Sequence, residues 1–159
     1  MRGHTPLFCA AEKGHIYIVK MLKSKGANVN FKDLANVTAL HGAASNGHVE
    51  VCEYLIKNYA DLEAKDHENR TPLHYAAGGD CAKENEFQSF KTVECLLKKG
   101  AKVNVESIHG TPLDYANVIA TQMVKNPKET QVQKILKDHG AIPGKRNDWS
   151  KLFFQQCRM

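Results

Sequence analysis

One seven-residue pattern recurs four times along the chain, and its spacing constrains the fold more than any other feature. The pattern starts with Thr, continues in three copies with Pro and Leu, and ends in small residues. It reads TPLFCAA at 5–11, TALHGAA at 38–44, TPLHYAA at 71–77 and TPLDYAN at 111–117. Successive copies start 33, 33 and 40 residues apart. A motif returning at a period of about 20 to 50 residues indicates an array of small stacked units.

A second landmark recurs in step with the first. Gly26 and Tyr59 follow the motif threonines of the first two copies by 21 residues, and Gly100 and Gly140 follow those of the last two by 29. Each of them closes a run of apolar residues at helical spacing. The two landmarks together divide the chain into four units, with approximate limits 3–35, 36–68, 69–108 and 109–142.

The motif and its period resemble the ankyrin repeat. The resemblance covers residues 1–142 and implies an all-α solenoid, in which stacked helix-turn-helix units are joined by short β-hairpin-like turns. Residues 143–159 follow as a tail rich in basic and aromatic side chains. We predict that this tail folds back onto the last unit, and the alternative is a partner-binding motif or the start of a following domain.

The second unit shows the physical logic of the pattern. Thr38 precedes a short helix, and the small side chains of Ala43 and Ala44 allow neighbouring helices to approach closely. Gly47 separates this helix from a second one, whose apolar residues recur at spacings of two to four. Each unit is therefore predicted to contain two helices that bury their apolar faces against adjacent units.

Several turns need a residue that adopts a positive φ angle. Asn36 and Asn69 stand at hairpin tips where the family usually has Gly, and Asn is the next best residue in the left-handed conformation. Tyr59 stands where a helix-ending Gly is expected. Because a Tyr with positive φ is strained, we expect either that Asn58 takes the left-handed position one residue earlier or that the turn is altered.

The third and fourth units each carry eight extra residues before the closing Gly. In the fourth unit, Asn126, Pro127 and Glu129 form a helix-start signal, so we expect its second helix to begin near Pro127. A weaker signal in the third unit predicts a helix from about residue 86 to residue 99. Both second helices are thus expected to gain about one turn.

Charge, hydropathy and cysteine content limit the functional classes. The net charge of +5 is too small to indicate a nucleic-acid-binding protein. No apolar run approaches the roughly 18 residues of a transmembrane helix, so we predict a soluble protein without membrane insertion. The five cysteines form no C-x-x-C pair and have no metal-ligand spacing, which favours the cytoplasm or another reducing compartment. Cys52 and Cys95 fall in apolar helical runs and are predicted to be buried.

The sequence lacks the common catalytic signatures. It contains no H-E-x-x-H, G-x-S-x-G, Walker or G-x-G-x-x-G motif. Among the eight histidines, His41 and His74 occupy the fourth position of the motif, where the ankyrin resemblance implies a structural hydrogen bond between hairpin and helix. We therefore predict a protein that is not an enzyme and that has no cofactor or metal.

The ankyrin resemblance implies that hairpin tips and the inner face of the first helices bind a partner protein. Leu34 and Val37 are the most informative positions, because an exposed tip usually carries polar residues. They form either a contact patch or a local packing contact between two hairpins. The predicted partner-binding residues are His4, Glu12, Lys13, Leu34, Ala35, Val37, Ser45, Asn46, His67, Glu68, Arg70, Gly78, Ser107 and Ile108.

These observations predict a non-catalytic adaptor or scaffold module that binds another protein. The alternative is a regulatory or targeting segment of a larger enzyme, channel or bacterial effector, whose activity lies outside these residues. We expect a monomer. Self-association through the first unit is the alternative, because no polar capping helix precedes the first copy of the motif.

Overall fold

A computed structural model of the chain describes residues 3–79, 86–123 and 129–144. These ranges contain eight α-helices, and apart from one isolated bridge between Ser107 and Gly110 they contain no β-structure. The predicted all-helical architecture is confirmed. In chain order the helices are α1 (Pro6–Glu12), α2 (Ile16–Ser24), α3 (Ala39–Ser45), α4 (Val49–Lys57), α5 (Pro72–Gly78), α6 (Glu86–Lys98), α7 (Pro112–Met123) and α8 (Gln131–Asp138).

The helices form two layers. The first layer consists of α1, α3, α5 and α7, which begin at the four copies of the motif and contact one another in chain order. The second layer consists of α2, α4, α6 and α8, which also contact one another in order. Each second-layer helix packs against the first-layer helix that precedes it. The described ranges thus contain four helix pairs stacked side by side.

The apolar core runs through the contacts between these pairs. Ala11, Ala43 and Ala44 are completely buried, which explains why the motif ends in small residues: larger side chains would force the first-layer helices apart. Leu40 and Leu55 belong to this core and are also completely buried. Burial of one such Leu contributes about 1.5 to 3 kcal/mol to folding.

The motif threonines start the first-layer helices. Thr5, Thr38 and Thr71 are N-cap residues with extended backbone, and the Thr5 hydroxyl oxygen accepts a hydrogen bond of 3.1 Å from the Phe8 amide. Pro72 follows the cap of α5, where its missing amide hydrogen costs no helical hydrogen bond. The start of each helix is therefore specified locally.

Left-handed residues end the helices and form the hairpin tips. Asn36 and Asn69 both have φ of 61°, which confirms the prediction. Tyr59 has φ of 67°, so the expectation that Asn58 would take this conformation, or that the turn would be altered, was wrong. The ring of Tyr59 is 89% exposed and meets no packing constraint. Its carbonyl accepts a hydrogen bond of 2.9 Å from Asn30 of the preceding pair, which helps to hold the strained turn.

The lengthened units differ from each other. In the third unit, α6 begins at Glu86 and ends at Lys98, close to the predicted limits. In the fourth unit the second helix begins at Gln131, so the predicted start near Pro127 was wrong. Thr130 caps this helix and forms a capping box with Gln133, which satisfies two of the free amides at the helix start. The first helix of this unit is instead the longer one, with 12 residues against seven in α3.

The predicted docking of the tail, from residue 145 onwards, falls outside the described residues. Just before the tail, the Gly144 amide donates a hydrogen bond of 2.8 Å to Asp114 in α7. Among the helices listed above, none is both long and apolar enough to cross a lipid bilayer.

The left-handed conformation of Tyr59 predicts a stabilising substitution. Tyr59→Gly should raise the free energy of unfolding by about 0.5 to 1 kcal/mol, because Gly adopts positive φ without a steric cost. The exposed ring contributes little packing that could be lost. Urea unfolding of both proteins measures the difference. Asn36→Gly is the matched control and should change stability by less, because Asn already tolerates this conformation; equal effects of both changes would contradict the interpretation.

Candidate functional site

A groove with a volume of about 750 Å³ follows the first-layer helices. Its walls are the hairpin tips before α3 and α5, and its floor is formed by side chains of α1, α3 and α5. We call it the tip groove. Its lining residues are His4, Phe8, Glu12, Lys13, Asp33, Leu34, Ala35, Val37, Gly42, Ser45, Asn46, Arg70 and Tyr75.

The tip before α3 is folded around the carboxylate of Asp33. One carboxylate oxygen accepts hydrogen bonds of 2.8 Å from the amides of both Ala35 and Val37. The other lies 3.1 Å from Nε2 of His4. The Asp33 amide in turn donates to the Val37 carbonyl at 3.0 Å. These contacts leave the tip backbone little freedom, so Leu34 is presented from a fixed loop.

The tip before α5 repeats this arrangement and adds a cation. Asp66 accepts hydrogen bonds from the amides of Glu68 and Arg70 at 2.9 and 2.8 Å. Its second oxygen accepts from Nε of Arg70 at 2.7 Å and from the Tyr75 hydroxyl at 2.9 Å. Burial opposes ionisation of Asp66, but the hydrogen bonds from Arg70 and Tyr75 outweigh it and lower the pKa of the carboxyl below its usual value. The Arg70 guanidinium also lies over the Tyr75 ring, 4.9 Å from its centre.

Backbone hydrogen bonds join successive tips. The His67 amide donates to the Ala35 carbonyl at 3.1 Å, and the Ile108 amide donates to the Glu68 carbonyl at 2.9 Å. Each tip is therefore positioned by the next one as well as by its own Asp. The wall of the tip groove behaves as one connected surface.

Aromatic rings and a glycine shape the floor. The rings of His4 and Phe8 lie with their centres 4.1 Å apart. Gly42 of α3 faces Phe8, and a Cβ atom at this position would lie 3.1 Å from the ring. Such a contact is tighter than packed atoms normally make, so Gly42 makes room for this ring of the groove floor.

His41 and His74 connect the helix pairs beneath the tips. Nδ1 of His41 accepts a hydrogen bond of 3.2 Å from the Thr38 amide, so the ring proton is on Nε2, which donates to the Arg70 carbonyl at 3.1 Å. His74 makes the same contacts with the Thr71 amide and with the Gly110 carbonyl. The structural role predicted for both histidines is confirmed. Desolvation on burial lowers the pKa of each ring to about 4, so both are neutral at pH 7.

Comparison with known families agrees with this geometry. A family model described as ankyrin repeats in three copies matches residues 31–107, and a single ankyrin repeat matches residues 2–34. The chain belongs to the ankyrin-repeat family. Ankyrin repeats are generally protein-protein interaction modules, and domains built from them are generally non-catalytic.

The ankyrin fold brings most of the predicted partner-binding residues together. Nine of the fourteen line the tip groove. His67 and Glu68 lie beside it on the tip that carries Arg70, and Glu68 pairs with that guanidinium at 3.1 Å. Gly78, Ser107 and Ile108 lie further along the array. Within the groove Leu34 is 72% exposed and Val37 is half-buried.

Sequence reasoning missed four residues of the groove: Phe8, Asp33, Gly42 and Tyr75. Asp33 and Asp66 are 33 residues apart, and this repetition at the period of the array is the signal that could have shown that both organise a tip. No comparable signal marks Gly42, because its small size matters only through the ring of the neighbouring helix.

The described residues show no arrangement suited to metal binding, and two of their cysteines are shielded from solvent. No group of three His, Cys, Asp or Glu side chains in these ranges is placed to hold a metal ion. Cys52 and Cys95 are buried, as predicted, and desolvation raises the pKa of both thiols. A buried thiol with a raised pKa is a poor nucleophile.

The neutral imidazoles predict a loss of stability in mild acid. Because the folded pKa of His41 and His74 lies below the value of 6.5 for a free side chain, the unfolded chain binds more protons as the pH falls from 7 to 5. Each ring should then lower the free energy of unfolding by about 2 kcal/mol over this interval.

Urea unfolding at pH 7, 6 and 5 tests this expectation. His74→Gln should reduce the pH-dependent loss by roughly half, since one titrating ring remains. The control is His67→Gln, which removes an exposed ring and should leave the dependence unchanged. A loss of the same size in the His74→Gln protein as in the unchanged protein would contradict the assignment.

Proposed function

We propose that this chain is a non-catalytic interaction module that binds a partner protein in the tip groove. The observation that carries the proposal is the 72% exposure of Leu34, on a tip that Asp33 and its backbone contacts hold in place. Exposing a large apolar side chain to water costs free energy, and covering it with a partner recovers that free energy. The general role of ankyrin repeats in binding proteins supports the same conclusion.

The chemistry of the groove is suited to a protein partner. Leu34 and Val37 supply an apolar anchor, while Arg70 and Tyr75 are of the residue types that contribute most to protein interfaces. Arg70 is 30% exposed and already oriented by Asp66 and Glu68. Binding would therefore order few side chains, and a preorganised surface loses less free energy on association than a mobile one.

We further propose that the protein acts as a monomer in the cytoplasm or another reducing compartment. The reducing compartment is supported by the free thiols of Cys9, Cys52 and Cys95, since no disulfide is formed among the described cysteines. Alkylation of intact cells with a thiol reagent, followed by mass spectrometry, should label exposed Cys9 without prior reduction. A Cys9 that reacts only after reduction would contradict the proposal.

Affinity capture with a groove variant tests the proposed function. Leu34→Asp combined with Ala35→Asp places charge on two exposed positions of the tip, so it should change stability by no more than about 0.5 kcal/mol. The same changes should lower the affinity of groove-bound partners by about tenfold or more, because they bury a charge against apolar surface.

The matched control is Tyr17→Asp, which changes a side chain on α2 that is 83% exposed and lies outside the tip groove. Partners captured by the unchanged protein and by the control, but lost with the groove variant, would support the proposal. Equal capture by all three proteins would overturn it. Unfolding curves of each variant show whether a loss reflects binding or misfolding.

A further inference from the structure

The tip groove lies where the second unit lacks two large side chains that the third unit has at the same positions. The third unit has an Asp, an Arg and a Tyr in its tip and first-layer helix, and the second unit has an Asp, a Val and a Gly. The corresponding pairs, each 33 residues apart, are Asp33 and Asp66, Val37 and Arg70, and Gly42 and Tyr75. Because Val37 and Gly42 both line the groove, part of its volume is space that larger side chains at these positions would fill.

The third unit shows which group such a space holds. Nε of Arg70 donates to Asp66 at 2.7 Å, and another guanidinium nitrogen donates to the Tyr75 hydroxyl at 3.1 Å. The guanidinium also lies over the Tyr75 ring. A planar guanidinium makes both contacts because it donates hydrogen bonds at its edge and stacks on rings with its face. The carboxylate of a tip and the floor beside it thus form a site for an arginine side chain.

The tip carboxylate of the second unit has no such partner within its own unit. One oxygen of Asp66 accepts two hydrogen bonds, from Nε of Arg70 and from the Tyr75 hydroxyl. The corresponding oxygen of Asp33 meets Nε2 of His4 at 3.1 Å, and no second donor reaches it among the described residues. A carboxylate oxygen has two acceptor sites. Asp33, which lines the tip groove, therefore keeps one of them for a group that enters the groove.

A second carboxylate, that of Glu12, lines the groove. Its counterparts in the next two units are small and uncharged, Ser45 and Gly78. The Glu12 Cβ atom lies 3.4 Å from the place that a Cβ of Gly42 would take, so this side chain starts beside the groove floor. Glu12 is half-buried, and its side chain forms no ion pair or hydrogen bond with the described residues. A partly desolvated carboxylate without a cation is unfavourable, and a cation from a partner would offset that cost.

The lysine and the arginine already in the groove do not balance Glu12. Arg70 is held by Asp66 and Glu68, with N···O distances of 2.7 and 3.1 Å. Lys13 is exposed and directly follows Glu12, and consecutive residues of a helix do not face each other. The groove therefore keeps a negative charge on the side formed by α1.

We propose that the partner inserts an arginine side chain into the tip groove above Gly42, where its guanidinium meets the carboxylates of Glu12 and Asp33. The aliphatic stem would pack against Leu34 and Val37, since only the head of an arginine is charged. The partner would thus supply from outside the group that the third unit supplies from within, and complementary charge of this kind selects partners. This inference rests on the proposed function, because it specifies the chemistry of a partner bound in the same groove.

A lysine and a tyrosine are the competing occupants. A lysine carries the charge, but its ammonium is a compact point charge that does not form two parallel hydrogen bonds with a carboxylate. A tyrosine would match the shape of Tyr75, but it would leave Glu12 without a cation. The contacts of Arg70 in the third unit favour arginine over both.

Peptide selection on the full chain tests the inference. The probe is a phage-displayed library of random peptides of about 12 residues, and ligands of the tip groove are those whose binding is lost in Leu34→Asp. These ligands should share one Arg at a common position. Replacement of that Arg should weaken binding by about tenfold with Lys and by about a hundredfold with Ala, because Lys keeps the charge and Ala does not. Fluorescence anisotropy measures both affinities.

Two variants locate the arginine. Val37→Arg introduces the side chain of the third unit, whose guanidinium would take the site beside Asp33, and it should weaken the selected peptides by about tenfold or more. Glu12→Gln removes the uncompensated charge at nearly constant size and should weaken them by about tenfold. For the peptide with Ala in place of Arg, the loss in Glu12→Gln should fall below about threefold, a coupling that misfolding would not produce.

Each variant has a matched control outside the groove. Tyr17→Arg adds the same charge on α2, at a side chain that is 83% exposed. Glu50→Gln removes a carboxylate on α4 whose side chain is 70% exposed. Both controls should leave the affinity unchanged. Urea unfolding of all four variants shows whether a loss of binding reflects misfolding.

Several outcomes would contradict the inference. Groove ligands that share no Arg, or whose affinity survives replacement of the Arg by Ala, would overturn it and leave the proposed function intact. A shared Lys or Tyr at the common position would do the same and would assign the site to that residue type. Equal effects of Glu12→Gln and Glu50→Gln would also overturn it. The absence of any ligand that depends on Leu34 would overturn the inference and the proposed function together.

Discussion

The hydrogen bond from the motif histidine to the next hairpin is the contact on which the array depends. Nε2 of His41 reaches the Arg70 carbonyl, and Nε2 of His74 reaches the Gly110 carbonyl, so each helix start is tied to the tip that follows it. The rings are neutral because they are buried. In the fourth unit the carboxylate of Asp114 takes the same place and accepts from the Thr111 amide and from Gly144. A His or an Asp at the fourth position of the motif thus connects each of these units to the chain that follows it.

This contact and the aspartates of the tips hold the surface that we propose binds a partner. Asp33 and Asp66 close each tip internally, and the hydrogen bond from His67 to Ala35 joins one tip to the next. Exposed residues such as Leu34 are therefore held by a scaffold that does not need them for stability. This separation lets an ankyrin array change its binding residues while the helices beneath keep their packing.

The tip groove is built from residues whose counterparts occur in the next unit. Asp33 lines the groove, and Asp66 stands at the same position one unit later and closes the next tip in the same way.

The sequence by itself determined the repeat, the helix starts and the structural histidines, because these depend on local signals that return at a fixed spacing. It also indicated the left-handed Asn36 and Asn69. It did not determine the conformation of Tyr59, which is held by Asn30 of the preceding pair, or the start of α8, which is set by the capping box of Thr130 and Gln133. The match of Gly42 to Phe8 was likewise decided only by tertiary structure. These features depend on which side chains the stacking brings together, and residues far apart in sequence carry no local signal of that contact.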